Sequence, residues 1–107
     1  MRYTFVYPPA MLFPKETAER DEVYLQFIRS LPCAKCGRFG PSNAHHHPAA
    51  GHSSIGLKVS DYRAVPLCGC ECHLRVHQIG KRSFWGDLDA VEDLIARLNI
   101  LFYSRSL

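Results

Sequence analysis

All five cysteines and all six histidines of this 107-residue chain fall between Cys33 and His77. Their order is as telling as their crowding. C-A-K-C occupies 33–36, A-H-H-H-P occupies 44–48, and P-L-C-G-C-E-C-H-L-R-V-H runs from 66 to 77. Thiolates and imidazoles are the preferred ligands of zinc and related metals. The segment therefore reads as two sites built together, a sulfur site that holds the fold and an imidazole site that does chemistry.

A chain of this length fits one domain, 1–107, with only a modest core, so a structural metal would add useful stability. The opening M-R-Y-T-F-V-Y-P-P lacks the layout of an export signal, and no apolar run approaches the roughly 20 residues of a membrane span. Clustered cysteines in odd number, without an export signal, favour metal ligation over disulfides, and a cytoplasmic protein with no membrane partner is expected. The charge is unevenly spread. Residues 29–82 hold eight Lys or Arg (29, 35, 38, 58, 63, 75, 81, 82) against Asp61 and Glu71, while both flanks are slightly acidic. The positive field thus covers the Cys/His segment, where an anionic backbone would be drawn.

Along the chain, the proline- and aromatic-rich 1–15 reads as an extended arm. Residues 16–31 read as a helix with Val23, Tyr24, Phe27, Ile28 and Leu31 on its buried face, ended by Pro32. The core then spans 32–80. It comprises a knuckle at 33–40, a short strand within 42–47, a small-residue loop at 48–60, a strand over 62–67, and a helix opening at Cys72 that sets His73 and His77 one turn apart on one face. A final helix over 87–102 is capped by Asp87 or Asp89, and its stripe of Leu88, Val91, Leu94, Ile95, Leu98, Leu101 and Phe102 packs on the core. The fold class is α+β.

A tetrahedral zinc takes four ligands, usually as two knuckles. Cys33 and Cys36 supply one. Cys68, Cys70 and Cys72 offer one thiol too many for the other; Cys68 and Cys72 are favoured, because one follows a strand and the other starts a helix. Six histidines are surplus to a four-thiolate structural site. They supply enough nitrogen for one catalytic metal and a general base, with His47 and His52 read as exposed bystanders.

Together these residues resemble the HNH endonucleases, whose fold is the ββα-metal (His-Me) finger. The wider run Y-L-Q-F-I-R-S-L-P-C-A-K-C, A-H-H, G-L-K-V-S-D-Y-R-A-V-P-L-C and C-H-L-R-V-H-Q-I-G is similar to phage and prophage nucleases of the recombination-enhancement (Ref-like) group, over about residues 23–86. That resemblance implies a DNA endonuclease with one structural Zn²⁺ and one catalytic Mg²⁺ or Mn²⁺. It makes His45 a metal ligand, His46 the general base, and His73 and His77 ligands from the helix. The family's orienting Asn has no counterpart between 44 and 98, and Asp61 in S-D-Y-R stands in for it. Lys58, Arg63, Arg75, Lys81 and Arg82 would hold the DNA backbone, and a recombinase filament is a candidate partner. The competing expectations are an inactive zinc-stabilised nucleic-acid-binding module and a protein-interaction zinc domain, which would not need the histidines.

Overall fold

The computed structural model describes residues 19–48 and 59–105. The first helix among the described residues, α1 (Glu22–Arg29), is shorter than its sequence pattern. Asp21 is the reason: in extended conformation it accepts the Tyr24 N–H on its side chain at 3.0 Å and caps the helix, a device worth about 1 kcal/mol. Glu19 and Arg20 precede the helix and tie down the chain before the second strand instead, the Asp61 N–H donating to the Glu19 carbonyl at 2.9 Å. Residues 16–18, like the arm at 1–15 and the loop from 49 to 58, lie outside the described residues. The buried face of α1 is Tyr24, Leu25 and Ile28, whereas Val23 points to solvent.

Two four-residue strands form an antiparallel pair, β1 (Asn43–His46) and β2 (Ala64–Leu67), with His45 opposite Val65 and His46 opposite Ala64. Tyr62 and Arg63 are not strand, because Asp61–Arg63 forms a 3₁₀ turn started by Ser60, whose hydroxyl accepts the Tyr62 N–H. β2 is buried at all four positions and shows no alternation, as expected of a strand packed on both faces.

Helix α2 (Cys72–Ile79) follows, then the five-residue α3 (Lys81–Trp85), an element the sequence reading left out. Gly80, at φ 86°, makes the corner between them. The last helix, α4 (Leu88–Ser104), is capped by Asp87, which accepts the N–H groups of Asp89 and Ala90; Asp89 itself lies inside the first turn. Its core face is Val91, Ile95, Leu98 and Phe102, and Leu101 is exposed. Among the described residues, buried side chains from β2 and from α1 to α4 meet in one apolar cluster, in which Tyr24, Ile28, Val65 and Leu67 are fully buried and against which Ala44 of β1 packs. Asn99 of α4 adds a polar clamp, donating to the Tyr24 hydroxyl at 2.7 Å and the Tyr62 carbonyl at 2.9 Å. Among the described residues no helix is long and apolar enough to cross a membrane.

Candidate metal centres

Three pieces of backbone bring four thiols together. Cys33 and Cys36 lie on a turn closed by the Gly37 N–H on the Cys33 carbonyl at 2.9 Å, with Gly37 at φ 79°. Cys68 leaves β2 and Cys72 opens α2. The Ala34 N–H, donating to the Pro66 carbonyl at 2.8 Å, ties the knuckle to the strand. The ligand atoms of Cys33, Cys36, Cys68 and Cys72 all lie within 4.8 Å of one another, while Cys70 is exposed and outside the group.

The spacing suits a metal. Sγ of Cys36 and Cys68 are 3.8 Å apart. A disulfide would need about 2.05 Å, whereas a tetrahedron with Zn–S bonds of about 2.3 Å has an edge of about 3.8 Å. Backbone N–H groups of Lys35 and Cys36 point at the Cys33 sulfur at 3.4 and 3.5 Å, and that of Cys72 points at the Cys68 sulfur at 3.3 Å. Such donors favour thiolate. The Cys72 N–H is the main cause that brings the Cys68 thiol down to about 6. Burial, then the neighbouring sulfurs, pushes Cys72 the other way. Four thiolates this close repel one another, so ionising the whole set requires a cation among them. The residues therefore fit a metal such as zinc.

The histidines form a second group. Strand alternation sends Asn43 and His45 to the face of β1 that meets α2, and Ala44 and His46 to the other. One ligand atom from each of His45, His73 and His77 lies within the same 4.8 Å limit. The ring centroids of the three are 5.0 to 5.2 Å apart. His45 is buried, and burial, followed by the proximity of His73 and His77, drives its pKa down to about 4. His73 is lowered for the same two causes, burial and then His77. Neutral imidazoles with free lone pairs are what a metal ion needs, so this trio also fits one.

His46, on the opposite face, meets a different partner. Its Nε2 is 2.8 Å from Oδ1 of Asp61. That carboxylate is only 4 % exposed. It also accepts from Arg20 at 2.9 Å and from the Asp21 N–H at 2.7 Å. Burial alone would raise the Asp61 carboxyl, but the hydrogen bonds from His46, Asp21 and Arg20 outweigh it and the net direction is down. Asp61 is thus an anion and an acceptor. The neutral His46 ring must then carry its proton on Nε2 and leave the Nδ1 lone pair free.

His47 is not an exposed bystander. It is 1 % exposed, edge-on to Trp85, with Nε2 3.9 Å from Glu92. Arg63 is engaged beside it, Nε donating to the His47 carbonyl at 2.9 Å and a terminal N–H to Glu92 at 2.5 Å. This Arg63 braces the end of β1 against α4. Arg75 and Arg82 are exposed and Lys81 is half-buried; Lys58 and His52 lie outside the described residues. Sequence reasoning missed Arg20, Asp21 and Glu92, whose partners stand 29 or more residues away in the chain. It also missed Asn43, which its two-residue spacing from His45 could have revealed.

Fold and site define a small α+β domain with a four-cysteine cluster and, one residue along on the same helix, histidines of a second cluster, each able to hold a metal ion. The chain belongs to the DUF968 family, described as proteins of unknown function, whose model matches residues 7–85. No curated protein and no solved structure matches it.

Proposed function

We propose that the chain is a metal-dependent DNA endonuclease of the HNH (ββα-metal) type, with structural zinc on the four cysteines and a catalytic Mg²⁺ or Mn²⁺ on His45, His73 and His77. One observation carries this reading. The two faces of β1 hold two different histidine environments: a trio of clustered imidazoles on one and, on the other, a single imidazole hydrogen-bonded to a buried carboxylate. A structural zinc explains neither. The strand–strand–helix order, with histidines on the first strand and the helix, agrees with the resemblance of the sequence motifs.

A divalent cation at the trio would neutralise phosphate charge and stabilise the leaving oxygen. The protein's own groups do the rest. His46 accepts the proton of the attacking water on Nδ1. Asp61 fixes the ring and stabilises the imidazolium that forms, while Arg20 and the Asp21 N–H hold the carboxylate still. Arg75, between the two helix ligands, and Lys81 and Arg82, just after them in sequence, attract the DNA backbone without reading bases.

Supercoiled plasmid offered to the zinc-loaded protein should be nicked with Mg²⁺ or Mn²⁺ and left intact in their absence. Binding without nicking under every divalent metal would instead mark a non-catalytic module. His77→Ala separates the two metals: it should weaken the second by more than the roughly 10-fold that losing even a hydrogen-bonding partner of a ligand costs, while zinc content stays at one equivalent. Metal analysis and a Mn²⁺ titration of the variant read both; loss of the tightly held zinc would merge the two sites into one.

A further inference from the structure

The Asn43 amide has no part in the chemistry just described, yet it sits against a histidine of the trio. Its Nδ2 is 3.0 Å from Nδ1 of His73. Asn43 shares its face of β1 with His45 by the two-residue period of the strand, so one face carries both a trio histidine and this amide. The amide is backed on its other side by Gly69: a Cβ there would stand 2.9 Å from Asn43 Nδ2 and 3.3 Å from its Cγ and Oδ1. The amide is therefore confined between the loop that carries Cys68 and Cys70 and the ring of His73.

We propose that Asn43 is a positioning residue that orients His73 through Nδ1, leaving Nε2 as its metal-ligating atom. The inference rests on the reading of the trio as a metal site. A ring nitrogen in contact with a side-chain amide is not available to a metal, so the other nitrogen is the ligand. A neutral imidazole that ligates through Nε2 carries its proton on Nδ1 and needs an acceptor there. In the structure the amide faces Nδ1 with its donor Nδ2; a half-turn about the Cβ–Cγ bond, which exchanges oxygen and nitrogen with no change of shape, presents Oδ1 as the acceptor that the metal-ligating tautomer needs. Ligating histidines generally have such a partner, and its removal costs about 10- to 100-fold in metal affinity. Asn43 is solvent-exposed, so water replaces part of what it provides and the expected loss is near the lower end, about 10-fold.

The test uses Mn²⁺ as the probe on zinc-loaded full-length protein, with free Mn²⁺ counted by electron paramagnetic resonance. Asn43→Ala should weaken Mn²⁺ about 10-fold with zinc content unchanged. Asn43→Asp keeps an acceptor of the same shape and adds charge, so it should bind Mn²⁺ as tightly as the parent or more so. Wild-type affinity in Asn43→Ala, while His77→Ala binds weakly, overturns the role of Asn43 and leaves the metal site standing. A loss in Asn43→Asp equal to that in Asn43→Ala overturns the acceptor role. If the parent protein binds no Mn²⁺ that His77→Ala removes, the metal reading falls and the proposal with it. Nitrogen-15 long-range spectra add a readout independent of activity: with diamagnetic Mg²⁺ at saturation, the His73 ring proton should be found on Nδ1.

Discussion

Cys33→Ser should abolish zinc binding and leave an unfolded chain. The cysteine cluster joins the knuckle after α1, the end of β2 and the start of α2, so it ties together three separate pieces of backbone. Binding of a structural zinc to such thiolates contributes about 10–16 kcal/mol, while a small domain has a net stability of about 5–15 kcal/mol. Losing most of the first exhausts the second. A serine hydroxyl at the buried Cys33 position also leaves the N–H groups of Lys35 and Cys36 without their thiolate acceptor. Cys70→Ser is the control, because Cys70 is exposed and outside the cluster; it should keep one zinc and a cooperative melt. Zinc content with circular dichroism reads the pair. Zinc lost in Cys70→Ser but kept in Cys72→Ser would show that the ligand set is wrong.

His46→Ala should keep the fold, both metals and DNA binding, and lose about 10²- to 10⁴-fold in cleavage, the usual contribution of a positioned general base. Its side chain is partly exposed, so the stability cost is small. Asp61 is the more hazardous position to alter. Its carboxylate joins His46, Arg20 and the backbone at Asp21, and substitution there removes an anchor of the α1 entry as well as the orientation of the ring. Single-turnover cleavage under saturating Mn²⁺ isolates the chemical step for His46→Ala, and near-wild-type rates would remove His46 from the mechanism.

The cysteine and histidine clusters are legible in the sequence because their signal is local. C-x-x-C, tandem His and H-x-x-x-H each fix a short geometry, and the period of a helix alone puts His73 and His77 on one face. Strand alternation likewise separates His45 from His46. The start of α1 was misjudged because Asp21 as a cap, rather than the acid-rich run before it, decides where the helix begins, and Glu19 and Arg20 are diverted to partners about 40 residues on. Strand pattern over 62–67 was overridden by the 3₁₀ turn that Ser60 starts. His47 illustrates a harder case. Nothing in H-H-H says which imidazole is buried, and its cover comes from Trp85 on α3 and Glu92 on α4, elements whose approach only tertiary packing defines.

The central claim is that neighbouring histidines of one strand do different work, one binding metal and the next moving a proton. Alanine variants at His45, His46 and His47, assayed side by side for plasmid nicking over rising Mn²⁺, test it most directly. Excess Mn²⁺ should partly restore His45→Ala, which lacks a ligand, and should not restore His46→Ala, which lacks the base. His47→Ala should nick normally at low temperature and melt earlier. Rescue of His46→Ala by Mn²⁺, or full nicking by His45→Ala without added metal, would contradict the account.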